Sequence, residues 1–167
     1  MTEQEVLLTD VDIIVSQSDL EGFIIYANPI FYKISAYPKG KLIGENHNII
    51  RHKDMPKVVF KYMWEQIEAK KEVYCFVKNK VRENGYYWVY AYVRPSLNRD
   101  GTIRNYISTR KAISKKAKNI IEPFYKHLLN IEKKYGLKES EKEFNKFMQN
   151  NCYQNQSYND VVHSIQY

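Results

Sequence analysis

The chain has 167 residues, 44% of them hydrophobic, and a formal net charge of +7 from 26 basic and 19 acidic side chains. That length holds about one domain with an appended helix or two, and the apolar fraction is enough for a real core. The basic residues are scattered among acidic neighbours rather than gathered in runs, which argues for a solvated surface and against a nucleic-acid footprint.

No run approaches the roughly 20 apolar residues of a membrane span. The opening MTEQEVLLTD is too acidic, and its apolar run too short, for a signal peptide. A soluble, cytoplasmic protein is expected, touching a membrane only through a partner. Cys75 and Cys152 make no CxxC and no metal spacing. Cys75 falls in an apolar strand and reads as a small core residue.

In chain order, residues 1–10 suggest a short amphipathic lead-in helix. Val11 to Ser16 reads as a first strand and Phe23 to Ala27 as a second, joined by a polar turn ending at Gly22. Asn28 opens a short helix with Pro29 at its first position. Pro38 and Gly44 bracket a short piece, KGKLI. After Ile67 come three strands, Glu72 to Lys80, Tyr86 to Leu97 and Thr102 to Lys111. Their turns end in Asn-Gly and Asp-Gly, as tight hairpins favour. The order predicts an α+β fold, a five-stranded antiparallel sheet with short helices on one face. From Ser114 the composition shifts. Ile120, Ile121, Phe124, Leu128 and Ile131 recur at helical steps, and Pro123 among them predicts a kink or break. A second helix is expected over Glu139 to Met148. The residues from Asn150, rich in Asn, Gln, Ser and Tyr, read as a loose tail. The division is a domain over 1–112 and a helical extension with polar tail over 113–167.

One stretch stands out, NHNIIRHKDMPKVVFKYMWEQI, residues 46–67. A polar, partly basic loop with His47, Arg51, His52, Lys53 and Asp54 leads to Pro56 and a helix. Val59, Phe60, Met63, Trp64 and Ile67 share one face of that helix. Asp54 is placed to cap its free N–H groups. Such a stretch suits a flat ligand with a charged tail, and equally a surface loop before a core helix. In the strand VYCFVKN, alternation sets Val73, Cys75, Val77 and Asn79 on one face. In YYWVYAYV the small row Val89, Ala91 and Val93 belongs beside a ligand. That sends Trp88, Tyr90 and Tyr92 to the outer face, as an interface or under the chain's own helices.

The runs IIYANPIFYKISAY, NHNIIRHKDMPKVVFKYMW and VKNKVRENGYYWVYAYVRP resemble the PAS family, in its flavin-binding branch found in aerotaxis and energy-taxis sensors. The resemblance covers about residues 10–112 and implies the PAS fold, with non-covalently bound FAD between the sheet and the short helices. It implies cofactor-binding roles for Asn28, Arg51, His52, Asp54, Trp64 and Asn79. Arg51, His52 and Asp54 would meet the adenosine diphosphate part, Trp64 the isoalloxazine ring and Asn79 its polar edge. It also implies a redox sensor rather than an enzyme, whose partner is a membrane-bound chemoreceptor-like protein. A homodimer through the outer sheet face or the helices is a further association considered. Where photosensory relatives carry a reactive cysteine this chain has His47, so no cysteinyl–flavin adduct is expected. The other functions weighed are a haem-based gas sensor with His47 and His52 as axial ligands, a cofactor-free dimerisation module and a flavin enzyme.

Overall fold

The computed structural model describes residues 2–167. Strands β2 (Ile14–Ser18) and β3 (Ile24–Ala27) form the first hairpin. Helix α1 (Pro29–Ser35), a 3-10 turn (His47–Ile50) and helix α2 (Lys57–Glu68) follow. Strands β4 (Val73–Val81), β5 (Gly85–Leu97) and β6 (Ile103–Ala112) complete an antiparallel sheet ordered β4-β5-β6-β2-β3. The five strands lie within three residues of their predicted ends.

The lead-in is a correction. Residues 4–5 form a short strand, β1 (Gln4–Glu5), which pairs in parallel with the start of β5. Gly85 permits this: a Cβ there would lie 2.6 Å from the Gln4 carbonyl oxygen. The N-terminus fills backbone positions on β5 that β6 does not reach, since β6 pairs only from Val89 onward.

The C-terminal part also departs from expectation. Helix α3 (Lys115–Tyr135) runs through Pro123 without a break. Pro123 lies on the solvent side, where water can take up the carbonyl that the missing N–H leaves free. Gly136, with φ +92, turns the chain into α4 (Leu137–Asn150). The tail is not loose: α5 (Tyr158–Gln166) opens with a Ser157–Asp160 capping box. It docks on β4, where Asn159 accepts from Tyr74 N and donates to the Glu72 carbonyl.

The two sheet faces fall as the alternation predicts, but the outer one is covered. Trp88 and Tyr90 are buried. Trp88 packs near Tyr125 of α3, whose hydroxyl donates to the Phe76 carbonyl at 2.8 Å. Tyr90 shares a 2.8 Å hydrogen bond with His163 Nδ1 of α5. Of the two alternatives for the outer aromatics, cover by the chain's own helices holds for Trp88 and Tyr90, while Tyr92 is half-buried and bonds Glu72. The concave face carries α1, the 3-10 turn and α2, with a hollow between them.

Candidate functional site

The hollow has a cavity volume of about 100 Å³ and opens to solvent on one side. Its floor is the small row of the sheet, Val77, Ala91 and Val93, and its roof is Phe60, Met63 and Trp64 of α2. Helical spacing alone turns Phe60, Met63 and Trp64 toward the sheet, as read from the sequence. Trp64 meets Tyr106 edge to face at 5.4 Å. An apolar slot between an indole and small strand residues can hold a planar aromatic ring.

The structure separates the six predicted site residues. Arg51, Trp64 and Asn79 line the hollow. Asn79 is buried at the end of its apolar row, and its backbone bridges to that of Arg51. The Arg51 guanidinium lies 4.2 Å over the Phe60 ring. Burial lowers its pKa, and Glu132 opposes that.

His52, Asp54 and Asn28 are not among the lining residues. His52 is buried, with Nε2 3.0 Å from Glu3 Oε2 and Nδ1 accepting from Asp54 N at 3.1 Å. Asp54 does not cap α2. It takes a 2.7 Å bond from Lys78. Burial pushes its carboxyl up, but Lys78, with His52 and Lys53, holds the pKa below the usual value. Asn28 accepts from Val15 N and Phe31 N and donates to the Ile13 carbonyl. It caps α1 and stitches it to β2, a structural role.

Several lining residues escaped the sequence reading. Tyr106, Ser108 and Arg110 form the inward row of β6, beside Ser16 and Ser18 of β2. Arg110 is 4% exposed. One guanidinium nitrogen donates to Ser16 Oγ, the group lies 4.5 Å over the Phe31 ring, and Nε has no partner. Burial lowers its pKa to about 10, and no carboxylate acts on it. It therefore stays a cation at neutral pH, on a wall it shares with the hydroxyls of Ser16, Ser18 and Ser108 and opposite an apolar floor and roof. His47 Nε2 lies 3.2 Å from the same Ser16 hydroxyl. Burial, and then Arg110, depress its pKa to about 3. The alternation that ordered β4 and β5 applies equally to β6, and an arginine in an inward row was the available signal.

His47 and His52 border different cavities. No cluster of His, Cys, Asp and Glu suited to a metal ion occurs among the described residues. No helix among them is long and apolar enough to cross a membrane.

A curled antiparallel sheet roofed by short helices, with a hollow between, is the PAS architecture. Solved structures share it. An RNA-binding light-oxygen-voltage receptor superposes with a TM-score of 0.59 at 16% identity, over 68% of this chain and 33% of that one. A PAS domain from Colwellia psychrerythraea superposes at 0.57 and 17%, over 63% of this chain and 89% of that one. At such identities the likeness shows the fold alone. A family model described as PAS fold matches residues 24–110. The chain belongs to the PAS family. The aerotaxis receptor of Escherichia coli is 35% identical to it over 128 residues, 77% of this chain and 25% of the receptor. A nitrogen fixation regulatory protein of Klebsiella oxytoca is 25% identical over 108 residues, 65% of this chain and 22% of that protein. The chain thus spans about a quarter of the length of these relatives.

Proposed function

We propose that this protein is a flavin-based redox sensor for energy taxis that binds FAD without a covalent bond and acts through a chemoreceptor-like partner, not as an enzyme. The observation that carries this reading is Arg110, a buried cation with an unpartnered Nε on the wall of a hollow whose floor and roof are apolar. An uncompensated buried charge is costly, and a ligand with an electron-rich polar edge relieves it. When bound, a flavin supplies reversible electron uptake with a change of charge on the ring.

The remaining roles belong to the chain's own residues. Val77, Ala91 and Val93 exclude water beneath the ring, and Trp64 offers an aromatic surface. Asn79 supplies an amide that can donate or accept as the ring edge changes. Arg110 favours the more negative state of the ring. FAD rather than FMN is favoured because Asn48 and Arg51 border both the hollow and a basic cleft outside it. The likeness to an aerotaxis receptor supports the taxis reading and a receptor-type partner.

The test is a visible spectrum of the purified protein before and after dithionite, with mass spectrometry of the released cofactor. Flavin bands that bleach on reduction, and a mass matching FAD, are expected. Arg110→Met should lower flavin retention or move the midpoint potential more negative while the fold survives. A Soret band, or a protein that stays colourless after incubation with FAD, overturns the proposal.

A further inference from the structure

Helix α2 begins after Pro56, which has no side-chain oxygen to cap it. Its first turn is satisfied from a distance. Glu132 of α3 accepts from Lys57 N at 2.8 Å through Oε1 and from Val58 N at 3.1 Å through Oε2. The hydroxyl of Ser140, fully buried on α4, donates to the same Oε2 at 2.9 Å. One carboxylate therefore ties α2 to the corner where α3 turns into α4. Residues 129–140 of that corner lie beyond the stretch matched by the family model, which ends at residue 110.

The same corner walls the basic cleft. Arg51, Lys57 and Lys80 border it from the sheet domain, and Lys133 and Leu137 from the helices. In all, five cationic side chains border it against two carboxylates, Glu3 and Glu132. Glu3 is engaged by His52. Glu132 is thus the internal anion of a cleft that otherwise attracts anions, and its charge is felt at Arg51.

We propose that the α3–α4 corner is an anion-operated latch: a dinucleotide's diphosphate enters the cleft, is held by Arg51 and Lys133, and displaces Glu132 from α2. This rests on the reading that the ring of the same ligand occupies the hollow, which shares Asn48 and Arg51 with the cleft. The diphosphate and the carboxylate repel each other, and both act on the charge of Arg51. The diphosphate carries the greater charge, and Lys133, next in sequence to Glu132, can follow it. Release of Glu132 frees the corner from α2, whose Phe60, Met63 and Trp64 roof the hollow. Occupancy of the site is then reported to the three C-terminal helices.

Hydrogen exchange on the full chain tests this, with riboflavin, FAD and ADP as probes. FAD and ADP should speed backbone exchange in residues 129–140 severalfold, and riboflavin should not. Glu132→Gln should show fast exchange there without ligand, and should raise the affinity for FAD relative to riboflavin. Lys133→Gln should lower that ratio with riboflavin affinity unchanged, which a merely structural lysine would not do. Slower exchange of 129–140 with FAD, or an unchanged ratio in Glu132→Gln, overturns the latch. If no flavin binds but ADP speeds exchange, the latch stands and the flavin reading falls. If FAD binds without altering exchange, the flavin reading stands and the latch falls.

Discussion

Burial acts on Arg110 and His47 in one sense, against the charged form, but the outcomes differ. Arg110 starts so high that a pKa lowered to about 10 still leaves it charged at pH 7. His47, lowered to about 3, is neutral at pH 7. The unfolded chain takes up the His47 proton near its ordinary value of 6.5, and the folded chain only near 3. Between those values the unfolded state binds more protons, so stability falls as pH falls. One such proton gives a slope of at most about 1.4 kcal/mol per pH unit. Glu3, Asp12, Asp54 and Asp160, all with lowered pKa values, add losses from their own acidic range. His47→Gln isolates the histidine. Its melting temperature should fall less steeply than the wild type's between pH 6.5 and 4.5. Identical slopes would show that His47 protonates freely in the fold. At this scale the sequence was partly legible. Arg51, Trp64 and Asn79 lie where motif and alternation put them. His52 and Asp54 were expected outside the ring pocket: His52 borders the basic cleft, while Asp54 is held by Lys78 and Asn28 by the β2 backbone, partners distant in sequence. Local pattern carries no information on such partners.

At the scale of elements, the strands were legible because period-two alternation and Asn-Gly or Asp-Gly turns are local signals. The errors fell where a tertiary contact decides. Residues 1–10 read as an amphipathic helix, but residues 4–5 meet a free backbone edge on β5 and pair with it. The polar tail forms α5 because Ser157 and Asp160 cap it and β4 receives it. Helix α3 keeps Pro123 because packing of Ala117, Ile121, Tyr125 and Leu128 holds the helix on both sides of it. The proline still lacks one hydrogen bond and crowds the carbonyl four residues back. Pro123 is exposed and none of these packed residues depends on its ring. Pro123→Ala should therefore stabilise the protein by about 1–3 kcal/mol. The urea midpoint should rise at unchanged slope. A lower midpoint would mean that the proline fixes a helix bend which the packing needs.

For the whole molecule, the C-terminal helices are part of the sheet's core rather than an appendage. Phe76, Trp88 and Tyr90 lie on the outer sheet face at 1%, 4% and 3% exposure. Tyr125 of α3 and His163 of α5 cover or bond to them. Strand β4 is an edge strand, and Asn159 of α5 occupies its free backbone groups beside Tyr74. Cutting the chain after Ala112 would retain every residue the family model matches. It would also uncover three large aromatics and an unprotected edge together, the combination that drives strand-to-strand association. The fragment 1–112 should accumulate as aggregate or as a dimer, bind a hydrophobic dye such as ANS, and melt well below the full chain. Adding residues 113–167 as a separate peptide should restore a monodisperse monomer, because the docking surfaces are already formed on the sheet. Light-scattering mass and ANS fluorescence decide the matter. A fragment 1–112 that is monomeric, dye-silent and as stable as the full chain would show that the helices only rest on the sheet, and that a signal leaving the hollow need not pass through them.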